Sequence, residues 1–207
     1  MPCKLLVAAL LLALAGCAGK SLAPNNEAIW QARVVQLAGF SSIACEARSG
    51  VRRKGESWHF SLSWEQRGEN FSGSGYSLLG SQIFALAGNE LATSYDTGDG
   101  PTTLSSREVI LEFTGIDLLP SQLFALIAAM PLEAGKQRWE GGRLTAQQLG
   151  LVSASYLDWS DYNGLLMPKL VRIKSQDNQL NLTFNDWRFT QKENGGDLTA
   201  LLTRAAE

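Results

Sequence analysis

The chain has 207 residues, 18 lysines and arginines against 20 aspartates and glutamates, and a net charge of −2. No basic run stands out, which argues against nucleic acid as a partner. With one histidine and three cysteines, Cys3, Cys17 and Cys45, it lacks the residues for a His/Cys metal cluster or a disulfide framework.

The N-terminus comes first in chain order. Lys4 precedes an apolar run, Leu5 to Gly16, that is too short to cross a bilayer. Residues 1–16 therefore read as a cleaved secretory signal peptide. The run ends in Leu14-Ala15-Gly16-Cys17. Small residues before a cysteine resemble the bacterial lipobox, which implies that Cys17 is lipidated and becomes the mature N-terminus. The alternative is an ordinary signal peptide cut near Ala13 or Ala15, with Cys17 a plain thiol. By the same resemblance, Ala18 in place of an aspartate implies a lipid-anchored protein of the bacterial outer membrane, facing the periplasm. Residues 17–27 are small and polar with one proline, the composition of a tether. Loss of Lys4 leaves 17 basic against 20 acidic side chains, a net charge of −3. One domain over residues 28–190 and a tail over 191–207 account for the rest.

Asn25 or Asn26 can cap a first helix in which Ile29, Arg33, Val34 and Leu37 share a face and Gly39 is the stop. The period then becomes two. Cys45 falls in a strand as a small buried residue. Trp58, Phe60, Leu62 and Trp64 alternate with His59, Ser61 and Ser63. A glycine-rich strand, "FSGSGY", and another, "SQIFALAG", flank Ser77 to Gly80, and "DTGDGP" is a strong turn signal. The middle is helical. Ser105 stands three residues before Glu108, as in a capping box, ahead of Val109, Ile110 and Phe113. A second helix starts near Pro120 and ends before Pro131, with Leu123, Leu126, Ile127 and Met130 at helical spacing. Strands return with "LVSASYLDW". Then Val171 and Ile173, and Leu180, Leu182 and Phe184, alternate with polar residues around a turn at residues 176–179. After Gly195-Gly196, residues Leu198, Leu201, Leu202 and Ala205 mark a short amphipathic helix. Short sequential strands predict an antiparallel sheet or barrel rather than βαβ units.

Catalytic motifs fail on spacing in "GSGYSLLGSQ", residues 73–82. A nucleophile elbow around Ser77 needs a glycine where Leu79 stands, and the dinucleotide fingerprint breaks at Leu78. The lone histidine lies on a polar strand face, and acid pairs such as Asp158 and Asp161 read as a solvated turn. No catalytic residue, metal or cofactor is therefore expected and the chain reads as a non-enzyme, with carboxylate-only chemistry the one enzymatic alternative left open. What remains is apolar surface: six tryptophans and eight phenylalanines, many on one-sided strands. A half-open antiparallel barrel lidded by helices buries them and leaves a cavity; a solid sheet-on-helix core buries them without one.

An ordered set of residues then resembles the LolB family of outer-membrane lipoprotein receptors. It comprises the lipobox, the early helix with Trp30, "FSLSWEQRGENF", "LLGSQIFAL", "LPSQLFALIAAMP" and "MPKLVRIKSQDNQLNLTFNDWRF". The resemblance implies a half-open antiparallel β-barrel covered by helices, of the kind shared by LolA and LolB. It implies that acylated lipoproteins are accepted from a LolA-like periplasmic chaperone and inserted into the outer membrane by a monomer. It also implies a membrane-insertion loop at Leu78, Leu79 and Gly80. The expected acyl cavity is lined by Phe60, Leu62, Trp64, Phe84, Leu86, Val109, Phe113, Leu123, Leu126, Val171, Ile173, Leu180, Leu182 and Phe184. Gly73, Gly75 and Gly80 are expected to make a tight, mobile loop. This chain has Leu78 where the family usually has proline, and Leu126 in place of a common tryptophan. A carrier of another lipid and a structural envelope lipoprotein are the rival readings.

Overall fold

The computed structural model describes residues 26–192 other than residue 133. The expected signal peptide, Cys17, most of the tether and the amphipathic tail helix lie outside the described residues. Helix α1, Asn26–Ala38, leads into six strands: β1 Phe40–Arg53, β2 Glu56–Arg67, β3 Asn70–Tyr76, β4 Gln82–Gly88, β5 Ala92–Asp96 and β6 Thr102–Ser105. Helices α2, Ser106–Thr114, and α3, Pro120–Ile127, follow. The second strand run is β7 Lys136–Glu140, β8 Arg143–Leu149, β9 Val152–Tyr162, β10 Leu165–Ser175 and β11 Asn178–Gln191.

All strands join one 11-stranded sheet in the order β6-β5-β4-β3-β2-β1-β11-β10-β9-β8-β7. The two longest strands, β1 and β11, pair antiparallel at its centre, and each meander runs outward from them. The sheet does not close, because the edges β6 and β7 are not paired with each other. The chain must travel from β6 at one edge to β7 at the other, and α2 and α3 lie on that path. The connection therefore covers the concave face. This is the half-open barrel with a helical cover.

Inward alternation builds the core. On β1, Ile43, Cys45, Ala47, Ser49 and Val51 are all buried. On β11, Leu180, Leu182 and Phe184 face inward, and so does Trp187, which breaks the period of two. The register steps from Ala47↔Phe184 to Glu46↔Asp186, leaving Asn185 as the extra residue of a bulge. The bulge turns Trp187 inward, where its ring lies 4.6 Å from that of Phe184 and its indole N–H donates to the Pro168 carbonyl.

Ser105 caps α2 as expected, with its side chain and that of Glu108 each reaching the other's backbone N–H. Gly115 ends α2 at φ 70°. In α3 every residue but Gln122 is buried, so the helix is enclosed on several sides. Strands β6, β7 and β8 have no counterpart in the sequence reading. In the β7–β8 hairpin, Lys136, Arg138 and Glu140 face solvent, which suits an edge strand but erases an apolar signal. Gly141 and Gly142, both with positive φ, form its turn and are the signal that marks it.

Candidate functional site

The concave faces of β1 to β4 and β11 meet α2 and the first turns of α3 around an apolar cavity of about 60 Å³. Phe60, Leu62, Trp64, Phe84, Leu86, Val109, Phe113, Leu123, Leu180 and Leu182 line it. Leu126, Val171, Ile173 and Phe184 do not. They are buried in solid packing beside it. Val171 and Ile173 stand on β10, beyond β11, where α3 rests directly on the sheet and leaves no space. Alternation identifies the inward face of a strand but not how far across the sheet a helix presses. Val51, Phe71, Ile110, Thr114 and Ile127 also line the cavity, as does Ser49. Val51 continues the inward alternation of β1, a signal that would have found it. A search for apolar side chains passes over Ser49.

A volume of about 60 Å³ is far below the roughly 300–1,000 Å³ of a ligand pocket. A wider mouth of about 240 Å³ adjoins the cavity and shares Val51, Phe60, Phe84 and Phe113 with it. Three of these rings form the partition: Phe60 to Phe84 is 5.4 Å edge-on, and Phe84 to Phe113 is 4.8 Å. The rest of the mouth is Arg53, Trp58, Ile83 and Glu112. Phe113 of α2 stands between the two spaces.

The glycines of β3 have a role here that differs from the expected loop flexibility. Gly73 and Gly75 are paired strand residues with buried backbone. A Cβ on Gly75 would collide with the Phe84 ring, and one on Gly73 would lie 3.1 Å from the Trp64 ring. The missing side chains are the space into which the Phe84 and Trp64 rings pack.

The two helices are held at different places. Near the end of α3, the Tyr156 hydroxyl donates to the Leu126 carbonyl at 2.9 Å, and Gln147 bonds that hydroxyl and the Met130 carbonyl. Arg33 of α1 donates to the Ala128 carbonyl at 2.8 Å and to Leu166 at 2.7 Å, with its guanidinium 5.4 Å from the centre of the Trp159 ring. Burial lowers the Arg33 pKa to about 10, so it stays a cation at neutral pH. These bonds are buried or half-buried and lock α3 to the sheet. At the mouth, α2 is latched by Arg53, which donates to the main-chain carbonyl of Glu112 and pairs with its carboxylate at 3.1 Å. That pair is partly exposed, and such pairs are weak. The two ends of α2 are tied by Ser106, bonded to Thr93 at 2.7 Å and to the Asn89 carbonyl at 2.6 Å, and by Asn178, which donates to the Gly115 carbonyl at 2.7 Å.

Leu78 and Leu79 occupy the corner of a tight turn at the same end of the barrel. The Gly80 N–H donates to the Ser77 carbonyl at 3.0 Å, and the Ser77 N–H to the Ser81 carbonyl at 2.8 Å. The Ser81 N–H also reaches the Ser77 hydroxyl. Gly80 alone supplies the positive φ, 83°. The leucines are 86% and 95% exposed and do not fold back onto the barrel rim. Ile83 and Trp58, beside the mouth, are also substantially exposed. Together these side chains make an apolar rim, which water disfavours.

Polar chemistry in the site is sparse. His59 is exposed on the outer face of β2. The Cys45 thiol is buried and its pKa pushed well up by desolvation, which leaves it unreactive. No metal-competent cluster of His, Cys, Asp and Glu occurs among the described residues.

Comparison with known proteins decides the family. The sequence profile described as "Outer membrane lipoprotein LolB" matches residues 41–187. The chain belongs to the LolB family. It is 28% identical over 195 residues to the outer-membrane lipoprotein LolB of Stutzerimonas stutzeri, covering 89% of this chain and 95% of that one. It is 27% identical to the LolB of Pseudomonas paraeruginosa, covering 88% and 94%. In three dimensions this LolB-family chain resembles a LolA superfamily protein from Nitrosomonas europaea. The TM-score is 0.52 at 9% identity, over 82% of this chain and 95% of that one, a likeness of fold.

Proposed function

We propose that this LolB-family chain receives acylated lipoproteins from a LolA-like periplasmic chaperone, holds their acyl chains beneath α2, and delivers them to the outer membrane. In this reading it works as a monomer on the periplasmic side of that membrane, anchored by lipid on Cys17. The observation that carries the reading is the apolar cavity under a helix held at the mouth by a partly exposed ion pair, with that mouth at the same end as two exposed leucines.

No bond is made or broken. The acyl chains leave one apolar environment for another, so the large cost of wetting them, about 0.8 kcal/mol per methylene, never arises in full. Transfer is directional when this cavity binds the chains more tightly than the chaperone and less tightly than the bilayer. About 1.4 kcal/mol per step gives a tenfold bias. The small cavity fits such an intermediate, since widening it beneath α2 costs part of the binding energy. Phe60, Leu62, Trp64, Phe84, Leu86, Val109, Phe113, Leu123, Leu180 and Leu182 form the receiving wall, and Leu126, Val171, Ile173 and Phe184 support it from the packed core. Leu78, Leu79 and Gly80 form the point that enters the membrane interface.

Depletion of the protein in cells tests the reading. The expected outcome is accumulation of acylated lipoproteins in the periplasm on their chaperone. Unchanged lipoprotein sorting, or purified protein carrying only phospholipid or glycolipid by mass spectrometry, would favour the carrier of another lipid.

A further inference from the structure

Two polar side-chain atoms belonging to the cavity-lining residues have no hydrogen-bond partner among the described residues: the Ser49 hydroxyl and the Trp64 indole N–H. The two residues are 3% and 5% exposed, so bulk water does not serve them. A buried polar atom left unpaired is costly, and alanine or phenylalanine would fill these places without that cost. The two lie at different depths. Ser49 pairs with Phe60 on β2, two residues from Val51, and both Val51 and Phe60 border the mouth. Trp64 pairs with Cys45, four residues further along β1, which is about 13 Å deeper at ~3.3 Å per residue. There its ring stacks on Phe71 at 4.9 Å.

We infer that Ser49 is a carbonyl-binding point just inside the mouth. Its hydroxyl donates to the carbonyl oxygen of an ester- or amide-linked fatty acyl chain, and the hydrocarbon runs inward toward Trp64. The inference rests on the acyl-cavity reading and narrows it: the ligand class is the fatty acyl group entering tail first, with its carbonyl read at the entrance. A plain hydrocarbon would fill the same walls and leave the Ser49 hydroxyl unpaired.

The test uses the full chain carrying Cys17→Ala, titrated with methyl palmitate and with hexadecane by displacement of a bound naphthalene sulfonate dye. The expected result is a preference for the ester of about 3- to 10-fold, the size of one neutral hydrogen bond. That ratio should fall to about 1 in Ser49→Ala and survive in Trp64→Phe and in Ser49→Thr, which keeps the hydroxyl. Equal binding of the two ligands, or a preference that persists in Ser49→Ala, overturns the carbonyl site but leaves the acyl cavity standing. A preference lost in Trp64→Phe instead puts the carbonyl at the deep end and overturns the orientation. If neither ligand displaces the dye, both readings fail. Circular dichroism of each variant verifies the fold, and if Ser49→Ala does not fold, Ser49→Val against the equally shaped Ser49→Thr decides the outcome, the ratio falling to about 1 only in Ser49→Val.

Discussion

At the scale of single residues, the leucines at the turn and the glycines of β3 have opposite environments within ten residues of chain. Leu79 touches nothing that holds the fold together, so Leu79→Glu should change unfolding free energy by less than about 0.5 kcal/mol. It should nevertheless reduce delivery of lipoproteins to membranes in a reconstituted transfer assay, because a carboxylate resists entry into the bilayer. Normal transfer by a folded Leu79→Glu protein would remove the turn from the mechanism. Gly75 faces the Phe84 ring with no room for a side chain. Gly75→Val should therefore cost about 1–3 kcal/mol by overpacking, read as a lower urea midpoint. A midpoint equal to the parent protein would mean the partition rings shift freely.

At the scale of elements, the two helices have distinct duties. The links around the end of α3, from Arg33, Gln147 and Tyr156, are half-buried or buried, whereas the latch of α2 at the mouth is the partly exposed pair of Arg53 and Glu112. Opening is therefore expected at the mouth-facing side of α2, which bears the exposed latch, while its ends stay tied through Ser106 and Gly115. Arg53→Ala should speed the uptake of a fluorescent fatty acid about 2- to 5-fold, within the range of a surface ion pair. Stopped-flow mixing measures it, and a rate equal to that of the parent would show that the latch does not limit opening.

Both helices could be read from the sequence, since capping at Ser105 and the prolines at 120 and 131 are local signals. The β7–β8 hairpin escaped because its outer positions are charged. Its glycine pair was the available clue. The inward Trp187 escaped because a single bulge residue, Asn185, shifts the period beyond it.

At the scale of the whole molecule, one side chain joins α1, the end of α3 and strand β10. Arg33 satisfies the carbonyls of Ala128 and Leu166 while lying against Trp159. Arg33→Met keeps the bulk but strands both carbonyls. The expected loss is about 1–3 kcal/mol in chemical unfolding, with some of the cost offset because a cation no longer needs burial. An unchanged midpoint would mean that this offset is complete. The sequence placed Arg33 on the inward face of α1 without revealing what it meets, because its partners lie far away in the chain.

The sequence by itself determined the antiparallel class, the pair of helices inserted between two runs of strands, the inward face of the strands it identified and the failure of every catalytic motif tested. These follow from periods, caps and spacings, which are properties of neighbouring residues. The tertiary structure alone decided that the cavity is small, that four of the expected lining residues sit in solid core, that the leucines point into solvent, and that the β3 glycines make room for aromatic rings. Each of these depends on where distant segments come to rest against one another, and local pattern carries no record of that.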